Sequence, residues 1–342
     1  MDKIKEAFSL SAVTDIFYKD FFIEYNKLVE AVKRKNMSID QEKARDFILL
    51  FSVRTIFLGF IQKKGWIGND EKFIQNLLKE YEKKYSGKDL FYNRWLDPLF
   101  FEALNSSPGS KVAYRNNDFS VETEKKLQMA PYLNGGLFKQ KQGYDDRKFF
   151  IPDKEIIEFF DFLFSHNFTI EENSYEDEDL QLNPEFLGII FERLVNKADG
   201  AVYTPRTEVD LMCRLSLVKW LEKNINLPFK NNLYELFFRE GEKEEDQKHG
   251  SFSEREKKEI IYFLENITIC DPAVGSGAFL VGMMYVLDEI EQYLKLSIGI
   301  KDINAFERKK RIIAQSLYGV EVKEWAVWIL KSGRAIRWFS AW

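Results

Sequence analysis

One stretch narrows the folds open to this chain more than any other: Ile269-Cys-Asp-Pro-Ala-Val-Gly-Ser-Gly-Ala-Phe-Leu280. Ile267 to Cys270 reads as a short buried strand that ends in an acid, Asp271, and in Pro272. The glycines of the following Gly-Ser-Gly loop reach backbone conformations closed to residues with side chains. From Phe279 to Leu294 the apolar residues return at helical spacing. A strand that feeds a helix through such a loop gathers backbone N–H groups and the positive end of a helix dipole at one point. That arrangement suits an anion or a polar cofactor. A second strand candidate, Leu317 to Val322, and a further helix from Lys323 follow. Strands alternating with helices point to a parallel α/β sheet from Asn183 onward.

The first part of the chain has another texture. Phe47, Leu50, Phe51 and Arg54 begin a helix-period stripe that continues through Ile56, Phe57, Phe60 and Ile61 and ends at Gly65. Phe73, Leu77, Leu78 and Tyr81 repeat it. Core packing of a helical domain accounts for both stripes without a functional role. Pro131 to Phe138 is turn chemistry between apolar anchors. The expected division is a helical domain at 1–182, an acidic connector around Glu171 to Asp179, and an α/β domain at 183–342. In the second domain, Phe186 to Leu194 is a short amphipathic helix, and a longer one runs from Pro205 through Trp220. The charged stretch Arg239 to Glu259 is a surface loop leading into a helix.

Composition excludes more than it assigns. At 342 residues, 45% hydrophobic and with 31 Phe, the chain has apolar mass for two packed units and is not a disordered polymer. A net charge of −5 argues against wholesale coating of nucleic acid, while leaving room for a local basic cleft. Two Cys, at 213 and 270, and two His, at 166 and 249, offer neither a disulfide framework nor zinc-ligand spacing. The start, MDKIKEAFSL, lacks the apolar core of a signal peptide, and no run reaches membrane-spanning length. The expectation is a cytoplasmic protein that neither enters nor spans a membrane.

Three kinds of phosphate or cofactor loop compete for the glycine stretch. A P-loop needs a Lys after its last glycine, and Ala278 stands there; a dinucleotide fingerprint needs a third glycine where Leu280 stands. In the S-adenosylmethionine loop of class I methyltransferases the acid leads the glycines, as Asp271 does here. Asp271-Pro-Ala-Val-Gly-Ser-Gly-Ala-Phe279 resembles the cofactor motif Asp-Pro-x-x-Gly-Ser-Gly of amino-methylating DNA methyltransferases, with Val274 where the family often has Cys. Upstream, Gly200-Ala-Val-Tyr-Thr-Pro205 is similar to the family's Tyr-Thr-Pro motif, although Thr204 and Pro205 would also start any helix as cap and first residue. Downstream, Leu317-Tyr-Gly-Val-Glu-Val322 resembles the family's second strand, which places Glu321 at the strand tip. A carboxylate there accepts both ribose hydroxyls.

The first domain carries further likeness. Phe60 to Trp66, Pro131 to Phe138 and Pro184 to Glu192 resemble the helical region ahead of the methylase in type IIG-like restriction–modification enzymes and phage-defence methylases of the BREX type. The resemblance implies a Rossmann-like class I methyltransferase whose sheet is incomplete in this chain. It also implies S-adenosyl-L-methionine as cofactor and methylation of adenine N6 on a base flipped from double-stranded DNA. The cofactor residues carried over are Tyr203, Thr204, Pro205, Asp271, Pro272, Ala273, Gly275, Ser276, Gly277 and Glu321. The family's catalytic Asn/Asp-Pro-Pro-Tyr/Phe run has no counterpart, because the chain contains no Pro-Pro pair. From about Ile329 to Trp342 it also leaves the family pattern. The chain is therefore expected to be a truncated, inactive amino-terminal portion, reading DNA only through the full-length protein, with no catalytic residue of its own and Ile267 to Cys270 as an unprotected sheet edge.

Metal-dependent cleavage is not expected. Glu82, Glu124 and Glu256 each precede a Lys pair and so match the Glu-x-Lys of a nuclease, but in a lysine-rich chain such matches arise freely, and none follows a strand with an Asp ahead of it. Cys270 follows no Pro, as a cytosine-C5 nucleophile would, and is expected to be a buried strand residue. Two other functions stay open on these residues: a helical interaction protein serving a partner subunit, and methylation of RNA or protein.

Overall fold

The computed structural model describes residues 2–107, 118–133, 136–140, 149–168, 181–182, 204, 206–226, 231–239, 252–275, 277–300, 304–322 and 327, with side chains from Phe17. The expected connector at 171–179, the helix at 186–194 and the motif at 184–192 lie outside the described residues. So do Gly200 to Tyr203, Pro205, Ser276, most of the helix from Lys323 and the stretch 329–342. The chain divides into two compact units, the first built chiefly from Met1–Leu194 and the second chiefly from Val195–Leu330.

The first unit is helical: α1 (Asp2–Lys35), α2 (Gln41–Lys63), α3 (Phe73–Tyr85), two π-helical turns (Tyr92–Leu96 and Leu99–Ala103), α4 (Val121–Gln128) and α5 (Asp153–Phe164). Helix α2 starts where the Asp40 side chain accepts the Lys43 N–H at 2.8 Å. It is buried on every side, and a helix apolar all round belongs at the centre of a core. Phe47, Phe51 and Phe57 meet rings from Tyr92, Phe138, Phe149, Phe159 and Phe160. Each such side chain contributes about 1.5–3 kcal/mol by leaving water. Helix α3 is amphipathic, as the spacing requires, and takes its cap from a neighbour: Ile74 N–H donates to Gln62 Oε1 of α2 at 2.9 Å.

Two buried charges organise this core. Arg54, fully enclosed in α2, donates from Nε to the Leu137 carbonyl at 2.9 Å and lies 4.8 Å from the Phe101 ring. It thereby pins the segment whose Leu133, Leu137 and Phe138 are buried, the anchors expected on either side of the turn. Asp153, the first residue of α5, accepts the Tyr81 hydroxyl at 2.5 Å, the Asp89 N–H at 2.9 Å and the Phe91 N–H at 3.1 Å. Asp89 returns the bond by accepting the Asp153 N–H at 3.0 Å. Burial, and then the hydrogen bond to Asp153, push the Tyr81 phenol well above its usual range.

The second unit holds α6 (Arg206–Asn224), α7 (Asn231–Phe237), α8 (Glu254–Glu265), β3 (Ile269–Asp271), α9 (Ala278–Ser297), α10 (Ala305–Arg311), a π-helical turn (Ile312–Ser316) and β4 (Leu317–Gly319). The first unit's β1 (Asn167–Phe168) and β2 (Gln181–Leu182) form a separate parallel pair. Helix α8 opens with a capping box, Ser253 and Glu256 each bonding the other's backbone. Strands β3 and β4 are parallel, with Ile269 opposite Leu317, Cys270 opposite Tyr318 and Asp271 opposite Gly319. Strand, helix and parallel strand make the crossover unit that the alternation implied. The core beneath it joins Leu217 and Leu221 of α6, Leu264 of α8, and Leu287, Ile290 and Leu294 of α9.

Two expectations need correction. Both strands are shorter, and the first is also shifted: 269–271 rather than 267–270, and 317–319 rather than 317–322. Cys270 is exposed, not buried. Successive strand residues face opposite ways, and among the described residues only the Ile269 and Leu317 face packs on the helices, so Cys270 and Tyr318 point outward. Among the described residues no helix is long and apolar enough to cross a membrane.

The Asp153 cluster yields a test of the first unit. Asp153→Ala strips the acceptor from one hydroxyl and two N–H groups and is expected to lower unfolding free energy by roughly 3 kcal/mol, against about 1 kcal/mol for Tyr81→Phe. Denaturant titration of both variants measures the difference; equal small losses would show that Asp153 does not organise these segments.

Candidate functional site

The site is built at the tips of β3 and β4. After β3 the chain folds back onto β4 through Val320: its N–H donates to the Asp271 carbonyl at 2.9 Å and its carbonyl accepts the Val274 N–H at 3.0 Å. The Asp271 carboxylate turns along its own chain and accepts the Ala273 N–H at 3.0 Å, the Asx turn that starts the loop. Pro272 and Ala273 are exposed on its crest. Val274 dives back into the core, 5% exposed, and its carbonyl receives the Gly277 N–H at 2.8 Å.

Both glycines have the conformations that made them necessary. Gly275 has φ +50° and Gly277 φ +93°, in the region that L side chains rarely adopt. Among the described residues a methyl group built on Gly275 would meet nothing within 4 Å. Gly277 is the N-cap of α9 and contributes no side-chain cap, leaving the first-turn N–H groups of a 20-residue helix for another acceptor. Glu321, just past β4, reaches across: its Oε2 accepts the Gly275 N–H at 2.9 Å, and its Oε1 accepts the Val322 N–H at 2.8 Å.

The structure thus bonds Asp271 to Ala273 and Gly275 to Glu321 directly, and brings Gly277 to the same loop through Val274, with Pro272 on the crest. Thr204, half-buried, stands just ahead of α6. Tyr203, Pro205 and Ser276 lie outside the described residues.

That packing depends on residues the motifs did not single out. Helix α6 lies along α9 at Gly282, where a methyl group would come within 2.5 Å of Val209 Cγ1 and 3.5 Å of Cys213 Sγ. The Cys213 thiol donates to the Phe279 carbonyl at 3.6 Å, and burial pushes its pKa up to about 12. Arg214 then links α6 to α9 through Glu289 at 2.6 Å, and to α7 through the Phe237 carbonyl at 2.7 Å. A similar economy operates at Gly319, where a methyl group would press within 2.9 Å of Val274 Cγ2 and 3.1 Å of Leu280 Cδ1. Missing side chains at 282 and 319 let α6 and the loop sit against the strand tips. The sequence signal was a small residue on the loop helix and another inside the second strand.

Charge fixes the other end of α9. Arg308 of α10, 2% exposed, donates to Asp288; Arg311 donates to Glu291; Lys295 pairs with Glu265 of α8 at 2.6 Å. Burial raises the Glu291 carboxyl pKa, and the Arg311 hydrogen bond opposes that shift. Among the described residues no three His, Cys, Asp or Glu side chains converge as a metal site would require.

Comparison with known proteins bears on this geometry. Residues 244–336, which include the loop and both strands, match the family described as MmeI, DNA-methyltransferase domain. A curated protein of Methanocaldococcus jannaschii, named as a type II restriction enzyme and methyltransferase, is 26% identical over 358 aligned positions, covering 93% of this chain and 29% of that protein. Among solved structures, the Type IIL restriction-modification enzyme MmeI in complex with DNA superimposes with a TM-score of 0.51 at 17% identity, over 92% of this chain and 35% of that one. The last is a likeness of fold. This chain therefore spans about a third of the length of the proteins it matches.

The Gly282 contact is open to test by thiol chemistry. In the folded chain maleimide should modify exposed Cys270 rapidly and Cys213 slowly, because the thiolate is the reacting form and burial suppresses it. Gly282→Ala is expected to cost about 1–3 kcal/mol and to speed Cys213 labelling, and Val209→Ala in the same chain to recover part of the loss. Unchanged stability and labelling in Gly282→Ala would contradict the close helix contact.

Proposed function

We propose that this chain, which resembles the methyltransferases of restriction–modification systems, forms the S-adenosyl-L-methionine seat of a DNA methyltransferase. One observation carries the reading: a positive-φ glycine loop at the tip of one parallel strand is hydrogen-bonded to an acid at the tip of the next, beside an uncapped helix start. A P-loop or a dinucleotide site would want a Lys or a third glycine, which the chain does not provide.

The residues fit that cofactor. Among the described residues nothing stands against Gly275, which leaves its backbone to a ligand, and the first turn of α9 favours a negatively charged group such as the cofactor's carboxylate. Glu321 is suited to the ribose hydroxyls, since a carboxylate is an acceptor for O–H groups and this one stands at the tip of the second strand, beside the loop. Asp271 holds the loop's first turn, Pro272 and Ala273 form its crest, and Gly277 leads it into the helix. Tyr203, Thr204 and Pro205 are proposed to close over the methionine end. Bound there, the sulfonium would supply an electrophilic methyl group; the chain's own residues bind, orient and shield it.

The wider reading follows from the resemblance. The two strands belong to a Rossmann-like sheet, residues 183–342 being the cofactor-binding part and 1–182 a helical domain. The methylated atom is adenine N6, and the substrate is double-stranded DNA held by a longer protein in the cytoplasm, or by this chain with a partner subunit. The Asn-Pro-Pro-Tyr type of run that would grip the adenine amine is not among these 342 residues. The activity proposed for this chain is therefore binding.

Calorimetric titration of the folded chain with S-adenosylmethionine is expected to give one saturable site with a dissociation constant of about 1–100 μM, near −6 to −8 kcal/mol. Gly277→Val should weaken it at least about tenfold through backbone strain. Absence of binding by a chain shown to be folded would favour the interaction-subunit reading instead.

A further inference from the structure

We infer that Glu321 has a second role, as the positioning residue that sets the glycine loop before any cofactor arrives. The inference rests on the cofactor reading for what the loop would hold, and on the geometry alone for the tie itself. Gly275 has φ +50° and no side chain of its own, and among the described residues no atom lies within 4 Å of a methyl group built upon it, so its conformation is set by backbone bonds on either side and by what its own N–H meets. Its N–H, like that of Val274 before it, donates to a residue beyond the loop's own turn, and here the acceptor is a side chain, Glu321 Oε2 at 2.9 Å.

The same carboxylate is held from behind. Its Oε1 accepts the N–H of Val322, and Val320 on its other side is bonded once to Asp271 at the tip of β3 and once to Val274 in the loop. The backbone that carries Glu321 is thus anchored to the strand from which the loop departs, and the side chain returns that anchorage to the loop at Gly275. Hydrogen bonds to an ionised acceptor are shorter and stronger than neutral ones, so this one outweighs the turn's weak local preferences. An acid at this position would therefore couple two ends of one ligand: the ribose it receives directly, and the carboxylate or sulfonium end that meets the loop it holds open.

Hydrogen exchange at Gly275, read by NMR on full-length chain carrying isotope-labelled glycine and no ligand, tests the tie independently of binding. Glu321→Ala is expected to lower Gly275 protection about tenfold, the scale of one charge-assisted hydrogen bond. Glu321→Gln, whose amide oxygen still accepts, should keep it within about threefold. Circular dichroism and the remaining glycines report whether either variant has unfolded. With S-adenosylmethionine, Glu321→Gln should bind more weakly than the parent chain, and Glu321→Ala more weakly still, because it loses loop position as well as the ribose acceptor. Equal Gly275 protection in all three chains, or equal loss in Gln and Ala, overturns the positioning role whatever the affinities. The graded protection without any cofactor binding would leave the tie standing and overturn the cofactor reading.

Discussion

Val320 is bonded on both of its backbone sides, its N–H to Asp271 at the end of β3 and its carbonyl to Val274 in the loop that follows. These two bonds hold the tip of one strand to the tip of the next over the residues where the chain must reverse. Everything chemical about the site follows from that clamp. With Val274 held down and buried, Gly275 is lifted clear of the core; with Val320 fixed, the following Glu321 is delivered to within hydrogen-bond reach of Gly275. Gly319, opposite Asp271 in the register, has no side chain to keep Val274 and Leu280 from closing over the strand ends. Substituting it would lift the loop and carry Glu321's partner away.

The clamp places a loop; the helices decide what stands next to it. Helix α9 leaves the loop and is gripped along its length by three neighbours, α6 at Gly282, α8 through Lys295 and Glu265, and α10 through the buried Arg308 and Asp288 pair. Buried charges of this kind contribute little net stability, because desolvation consumes much of the attraction. Breaking one pair, however, leaves a charge stranded in the core, so the pairs specify one register of α10 on α9. That register returns the chain to β4 at the right height for Leu317 to face Ile269. The loop's geometry is therefore set partly from the far end of its own helix.

Local chemistry made parts of this legible in the amino-acid sequence. The stripes at Phe47–Ile61 and Phe73–Tyr81 are helices because apolar period alone dictates burial, and the two strands and the helix between them stand within a few residues of their expected places. The glycines at 275 and 277 needed positive φ and have it. The failures share one cause. Strand limits were misjudged because pairing ends where the partner chain turns away, a fact about tertiary contact and not about the strand's own residues. Cys270 looked buried because an apolar run reads as covered on both faces, whereas the described helices cover only one. Gly282, Gly319 and Cys213 passed unnoticed because a close helix contact has no signature until the second helix is known.

Val274 shows how a departure from a motif becomes informative once packing is known. The family often carries Cys at this position, and as a sequence difference the change to Val is neutral. In the fold the side chain is enclosed and faces the bare Cα of Gly319. A branched side chain has fewer rotamers to lose on burial, fills the space that Gly319 leaves, and carries no thiol to satisfy. The position is thus a plug between loop and strand, and its requirement is for compact apolar volume. The chemistry of the loop lies in its backbone, in the N–H of Gly275 and the first turn of α9, and Val274 supplies the volume that holds that backbone against the strand.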